Sequence, residues 1–150
     1  MNENHAKTGE QAFAARLSLI LTSSGFRTDI GSRVFRGRRK IDPDQIPCVV
    51  IVGGDDTITA QKRGEVVLDQ RYIIEAHCTC DPDNPNDAAL DMIADIKRVM
   101  WGKEEDKSFG GLVKDLNYSG RIISPREDGS SLVAAGVELT ASFPETLGDQ

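Results

Sequence analysis

The chain has 150 residues, of which 39% are hydrophobic and 28% charged, with a formal net charge of −6. That is the size of one folded domain and far from the composition of a disordered chain. It excludes a membrane-spanning helix, because no run approaches ~18 consecutive apolar residues, and the acidic balance argues against a generic nucleic-acid binder.

The polar residues 1–9 lack the basic-then-apolar pattern of an export signal, so the sequence predicts one soluble domain, 1–150, that folds in the host cytoplasm, with residues 1–8 flexible. Thr8 followed by Gln11 reads as a capping box. A helix is predicted from Glu10 to Ser24, with Phe13, Leu17, Ile20 and Leu21 as its buried stripe and Gly25 as its stop. A short strand, Ser32 to Arg36, precedes a basic loop at Gly37, Arg38, Arg39 and Lys40. The run Cys48 to Val52 is apolar at every position, the pattern of a strand covered on both faces. Residues 53–64 have little apolar content and read as a long exposed hairpin or mobile loop.

From Tyr72 to Cys80 the even positions are apolar and the odd ones mostly polar, which predicts a strand with one buried face. After the break at Asp81 to Pro85, Asn86 is the expected cap of a second helix. Its stripe is Ala89, Met92, Ile93, Ile96, Val99 and Met100, and Gly102 stops it. Two strands, about Asp115 to Ser124 and Leu132 to Phe143, should pair as a hairpin through a stretch that holds the turn pair Asp128-Gly129. In the last of them Val133, Ala135, Val137, Leu139, Ala141 and Phe143 share one face. The expected fold is α+β, a two-layer structure with a mostly antiparallel twisted sheet and two main helices on one face. The other, half-polar face is left for water or a neighbour.

Sites for chemistry are scarce. Cys48, Cys78 and Cys80 are odd in number and lie in apolar runs, as reduced thiols serving as small hydrophobes do. His77, Cys78, Cys80 and Asp81 offer zinc-type donors, but strand alternation sends His77 to one face and both cysteines to the other. Asp81, Asp83 and Asp87 have calcium-loop spacing, yet Asn86 and Met92 stand where glycine and glutamate are required. His77 has Glu75 on its own strand face, where a solvated histidine is the commoner outcome. Gly53-Gly54 and Gly110-Gly111 match no phosphate-binding spacing. The residues therefore predict no catalytic group, no metal and no cofactor.

The sharpest charge feature is Arg27 to Lys40, where six basic residues against Asp29 alone give +5 and leave about −11 for the remainder. Such a segment attracts an acidic edge of a neighbouring subunit, and Asp81 to Asp91 or Glu104 to Asp106 could supply one. A nucleic-acid-binding accessory module is the competing reading of the same residues.

Three passages together resemble the tail terminator (minor tail) proteins of long-tailed bacteriophages: Leu21 to Asp29, Arg33 to Lys40 leading into Asp42-Pro43, and Pro125 to Gly129 before a long alternating strand. The resemblance runs over nearly the whole chain in length and element order. It implies a non-enzymatic virion protein at the head-proximal end of the tail. There a ring, commonly of six copies, caps the tail tube, ends its polymerisation and meets a head-completion or neck protein, while DNA passes through the lumen without specific binding. A neck or head-completion subunit is the alternative within the class. The family has no catalytic residues to carry over. Arg33, Arg36, Arg38, Arg39 and Lys40 are the expected basic side of the subunit interface, and Asp81, Asp83 and Asp87 the acidic side.

Overall fold

The computed structural model describes residues 5–126 and 129–148. Helix α1 (His5–Leu17) is followed by strand β1 (Val34–Arg36), β2 (Cys48–Lys62), β3 (Glu65–Thr79), helix α2 (Pro85–Trp101), β4 (Leu116–Ile123) and β5 (Leu132–Thr146). The strands form one sheet in the order β1-β2-β3-β5-β4. Only β1 and β2 run parallel; every other pair is antiparallel. The protein is thus a two-layer α+β fold.

The core lies between the helices and one sheet face. The expected stripe of α2 is buried along its whole length, as are Val133, Ala135, Val137, Leu139, Ala141 and Phe143 of β5 and Tyr72, Ile74 and Ala76 of β3. From α1, Phe13 and Leu17 join this cluster, and Ile20 and Ile30 extend it. Alternation along a strand and 3.6-residue periodicity along a helix aim these side chains into one layer.

Helix α1 differs from the expected span of Glu10 to Ser24. It starts at His5, so Thr8 lies inside it and caps nothing, and it stops at Leu17. His5 Nδ1 is 2.6 Å from the Pro144 carbonyl oxygen, which ties residues 5–8, expected to be flexible, to the end of β5. The early stop has a packing cause. The Gly31 N–H bonds to Ile20 O, and a Cβ on Gly31 would meet Leu17 O at 2.5 Å and Ile20 O at 2.7 Å. The returning chain occupies the space where further turns of helix would lie. Thr22–Ser24 forms only a 3-10 turn, and Gly25, at φ 89°, ends that instead. Helix α2 begins at Pro85 with Asn84 as its N-cap residue, not Asn86, since proline's fixed φ suits the first helical position.

Two strands are longer than their apolar patterns. β2 continues through Lys62 and β3 begins at Glu65, joined by a two-residue turn with Arg63 and Gly64 at positive φ, the geometry that matches strand twist. Residues 53–62 are exposed on both faces, so no hydrophobic alternation marks them as a strand. β5 stays paired with β3 to Thr146, and the three strands extend together as an arm. The expected turn residue Asp128 lies outside the described residues; β4 and β5 pair as anticipated.

The face opposite the helices is not wholly bare. Because β1 is parallel to β2, residues 37–47 must cross over the sheet to begin β2. Ile41 and Ile46 of this crossover border a cavity with His77 and Ala134, which lie on the non-helix face. This cover accounts for the burial of Cys48, Val50 and Val52 on the side away from the helices.

Candidate functional site

The basic segment leaves the β1 edge and becomes the crossover. Its cations fall into two groups. Arg36 Nε donates to Glu10 Oε1 of α1 at 2.8 Å. Arg39 stacks its guanidinium 4.4 Å from the Phe35 ring centroid and reaches the Arg36 carbonyl. These two hold the crossover against β1 and α1. Arg33, Arg38 and Lys40 are exposed and make no ion pair among the described residues. They are the cations available to an outside partner.

The expected acidic residues sit elsewhere, in the turn from β3 into α2. Asp81 is largely used locally, with Oδ1 accepting from the Asp83 N–H at 3.0 Å and Oδ2 from Asn84 Nδ2 at 3.3 Å. Asp83 and Asp87 are exposed, Asp87 in the first turn of α2 where the helix dipole favours a negative charge. The structure therefore does not bring the basic and acidic sets together within one subunit. It puts them on separate segments, the crossover and the entry to α2.

Between the two lies a cavity of about 340 Å³ whose wall includes Arg39, Ile46, His77, Arg126 and Ser130. Arg126 bonds to the Ser130 and Pro82 carbonyls and ties the loop before β5 to the acidic turn. His77 Nε2 is 2.8 Å from Glu75 Oε1, as their shared strand face implies. Cys78 and Cys80 lie against the core cluster on the other face. Burial pushes the Cys78 thiol up to about 11 and raises Cys48 as well, so both stay protonated and unreactive near neutral pH. Among the described residues no group of three histidine, cysteine or acidic side chains converges to hold a metal ion, and no helix is long and apolar enough to cross a membrane.

The other acidic segment, Glu104 to Asp106, is bound inward. Arg16 pairs with Glu105 at 3.4 Å, donates to the Asp106 carbonyl at 2.9 Å and covers the Phe109 ring at 4.0 Å. The Asp106 carboxylate accepts from Ser108 Oγ, then from the Gly110 and Ser108 N–H groups, and is held down at about 2. A carboxylate depressed in the folded state stabilises the fold above its unfolded pKa, and that contribution disappears as pH falls from about 4 toward 2. Replacing Asp106 by Asn should therefore flatten stability against pH in that window and leave the slope above pH 5 unchanged. Acid titration followed by circular dichroism measures both; an identical acid limb in the two proteins would remove the role assigned to this turn.

No protein-family model matches the chain, and no curated protein matches its sequence significantly. What the sequence did not disclose is the state of the sheet edges. β1 pairs only with Val49, Val50 and Ile51, so the outer side of β2 from Val52 to Lys62 has no strand beside it among the described residues. β4 forms the other edge. An open edge is a property of topology and leaves no mark in composition.

Proposed function

We propose that the chain is a structural subunit that joins copies of itself head to tail into a ring, and that the ring closes the tail tube of a long-tailed bacteriophage at its head-proximal end. The observation that carries this reading is the separation of opposite charges. Arg33, Arg38 and Lys40 project from the crossover, while Asp83 and Asp87 project from the entry to α2. Two different patches of opposite sign on one subunit favour a heterologous contact, which closes into a ring when the rotation allows, over a two-fold dimer that would oppose like charges. The resemblance of Leu21 to Asp29, Arg33 to Lys40 and Pro125 to Gly129 to tail terminator proteins supports the same reading. In this role the protein is not an enzyme. Its partners are itself, the tube protein and a head-completion protein, its place is the virion, and DNA passes through the lumen.

Reversing Arg38 and Lys40 together to glutamate should weaken self-association by about tenfold at low salt, because screening and like-charge repulsion act on this contact. Sedimentation at several salt concentrations reads the change, and electron microscopy of purified protein mixed with tube polymers reads capping of their tips. Protein that stays monomeric at every concentration and ignores tube tips sinks the proposal. Binding to filled heads in place of tubes would instead assign it to the neck.

A further inference from the structure

The two sheet edges differ in a way that fits one to the other. β2 and β4 run in opposite directions in the sheet, since three antiparallel pairings connect them. If a second copy is placed beside the first with its helices on the same side, its β4 edge lies antiparallel to the open part of β2. Each edge also carries an irregularity. β2 has an extra residue at Thr59, between Ile58 and Ala60, and β4 has one at Ser119, between Tyr118 and Gly120. A bulge normally blunts an edge, because a regular strand cannot follow it. Here each edge has a counterpart with the same defect.

We infer that the outer edge of β2, around Asp56 to Lys62, pairs antiparallel with the β4 edge of a second copy of this chain, with Asp56 opposite Arg121 and Lys62 opposite Asp115. This register sets the two bulges against each other, so side chains stay on matching faces on both sides of them. Asp56 shares a row with Gln70 and Ala141, and Arg121 shares one with Val137, which puts both on the helix side. Lys62 and Asp115 fall on the opposite side by alternation. Both pairs join opposite charges, and all four residues are exposed and free of ion pairs among the described residues. Ile58 and Tyr118, 55% and 43% exposed, flank the bulges and gain cover from the contact.

The pairing also accounts for a stagger. Within its own sheet Arg121 lies in the row of Ile74 and Ile51, but in the neighbour it meets Asp56, further along β2, because β1 already occupies the edge at Ile51. Each copy steps along the strand direction. A sheet that advances at every repeat closes with tilted strands, as barrels do. The inference rests on the ring reading and supplies its seam.

Position-specific cross-linking tests it. Asp56→Cys and Arg121→Cys, made separately and mixed under mild oxidation, should yield a covalent dimer, since directly opposed Cβ atoms lie about 4.5–5.5 Å apart. Neither variant alone should yield one, and the native chain, with Cys48 buried and Cys78 and Cys80 half-buried, serves as the background. Dimer from Asp56→Cys alone would mean two-fold pairing of β2 with itself and overturn the head-to-tail register. In a second arm, Asp56→Arg and Arg121→Asp should each weaken association roughly fivefold, while the double swap restores it. If the native chain oligomerises but neither the mixed disulfide nor the rescue appears, edge pairing is wrong and the ring stands on the charged crossover. A chain that never associates overturns both.

Discussion

Replacing Asp95 by alanine should lower the free energy of unfolding by about 3–4 kcal/mol, one of the two largest losses expected from a single substitution in this chain. Asp95 sits on α2 and is only 2% exposed. Its carboxylate accepts from the Arg27 N–H at 3.1 Å, the Thr28 N–H at 2.8 Å and Thr28 Oγ1 at 2.7 Å. These donors belong to the irregular segment between α1 and β1, where no helix or strand ladder satisfies the backbone. Alanine strands them in a site that water reaches poorly, and each unsatisfied donor costs about 1–3 kcal/mol. Asparagine keeps one acceptor oxygen and should cost roughly half as much. Urea denaturation gives the comparison, and hydrogen exchange at Arg27 and Thr28 should quicken before the rest of the chain. Alanine within about 0.5 kcal/mol of wild type would contradict this assignment.

The second large loss is expected at Phe13, where truncation to alanine should cost about 3–5 kcal/mol and truncation to leucine substantially less. Phe13 is fully buried and stands edge-on to Tyr72 at 5.2 Å and to Phe109 at 4.8 Å, with Phe143 at 6.4 Å. It thus joins three elements, α1, the sheet and the loop after α2. Phe109 holds a positive φ of 50°, a conformation that persists for a bulky residue only while surrounding packing enforces it. Removing Phe13 should therefore loosen residues 103–113 selectively, alongside the global loss measured by denaturation. Uniform protection of that loop in Phe13→Ala would show that its shape is held by the Asp106 turn and Arg16 alone.

The surface substitutions proposed above differ from these two in kind. Asp56, Arg121, Arg38 and Lys40 are exposed, and surface changes of this sort shift stability by no more than about 0.5 kcal/mol. Their effects should fall on association. A comparison of melting temperature with oligomeric mass separates the two classes in one preparation.

Local pattern was enough to reveal the buried architecture. The α2 stripe, the inward face of β5 and the apolar run Cys48 to Val52 were all legible, because burial imposes a period of 3.6 on a helix, 2 on a half-covered strand and continuity on a strand covered twice. The placement of His77 opposite Cys78 and beside Glu75 followed from the same alternation. The charged residues of the candidate interface were visible as a local excess of one sign, but not their division of labour. That Arg36 binds Glu10 and Arg39 lies on Phe35, leaving Arg33, Arg38 and Lys40 outward, depends on α1 and β1 being brought together across the chain.

By itself, then, the amino-acid order determined which side chains are inside, the α+β class and the charge asymmetry. Tertiary structure decided where α1 stops, because Gly31 packs against its last carbonyls. It also decided that an exposed polar stretch becomes the outer half of β2, and which strands are left as edges. The physical reason is shared. Burial acts on one residue at a time and is written in its hydropathy, whereas a helix end set by a returning backbone, or an edge left open by a short neighbour, is made by hydrogen-bonding groups that every residue carries alike.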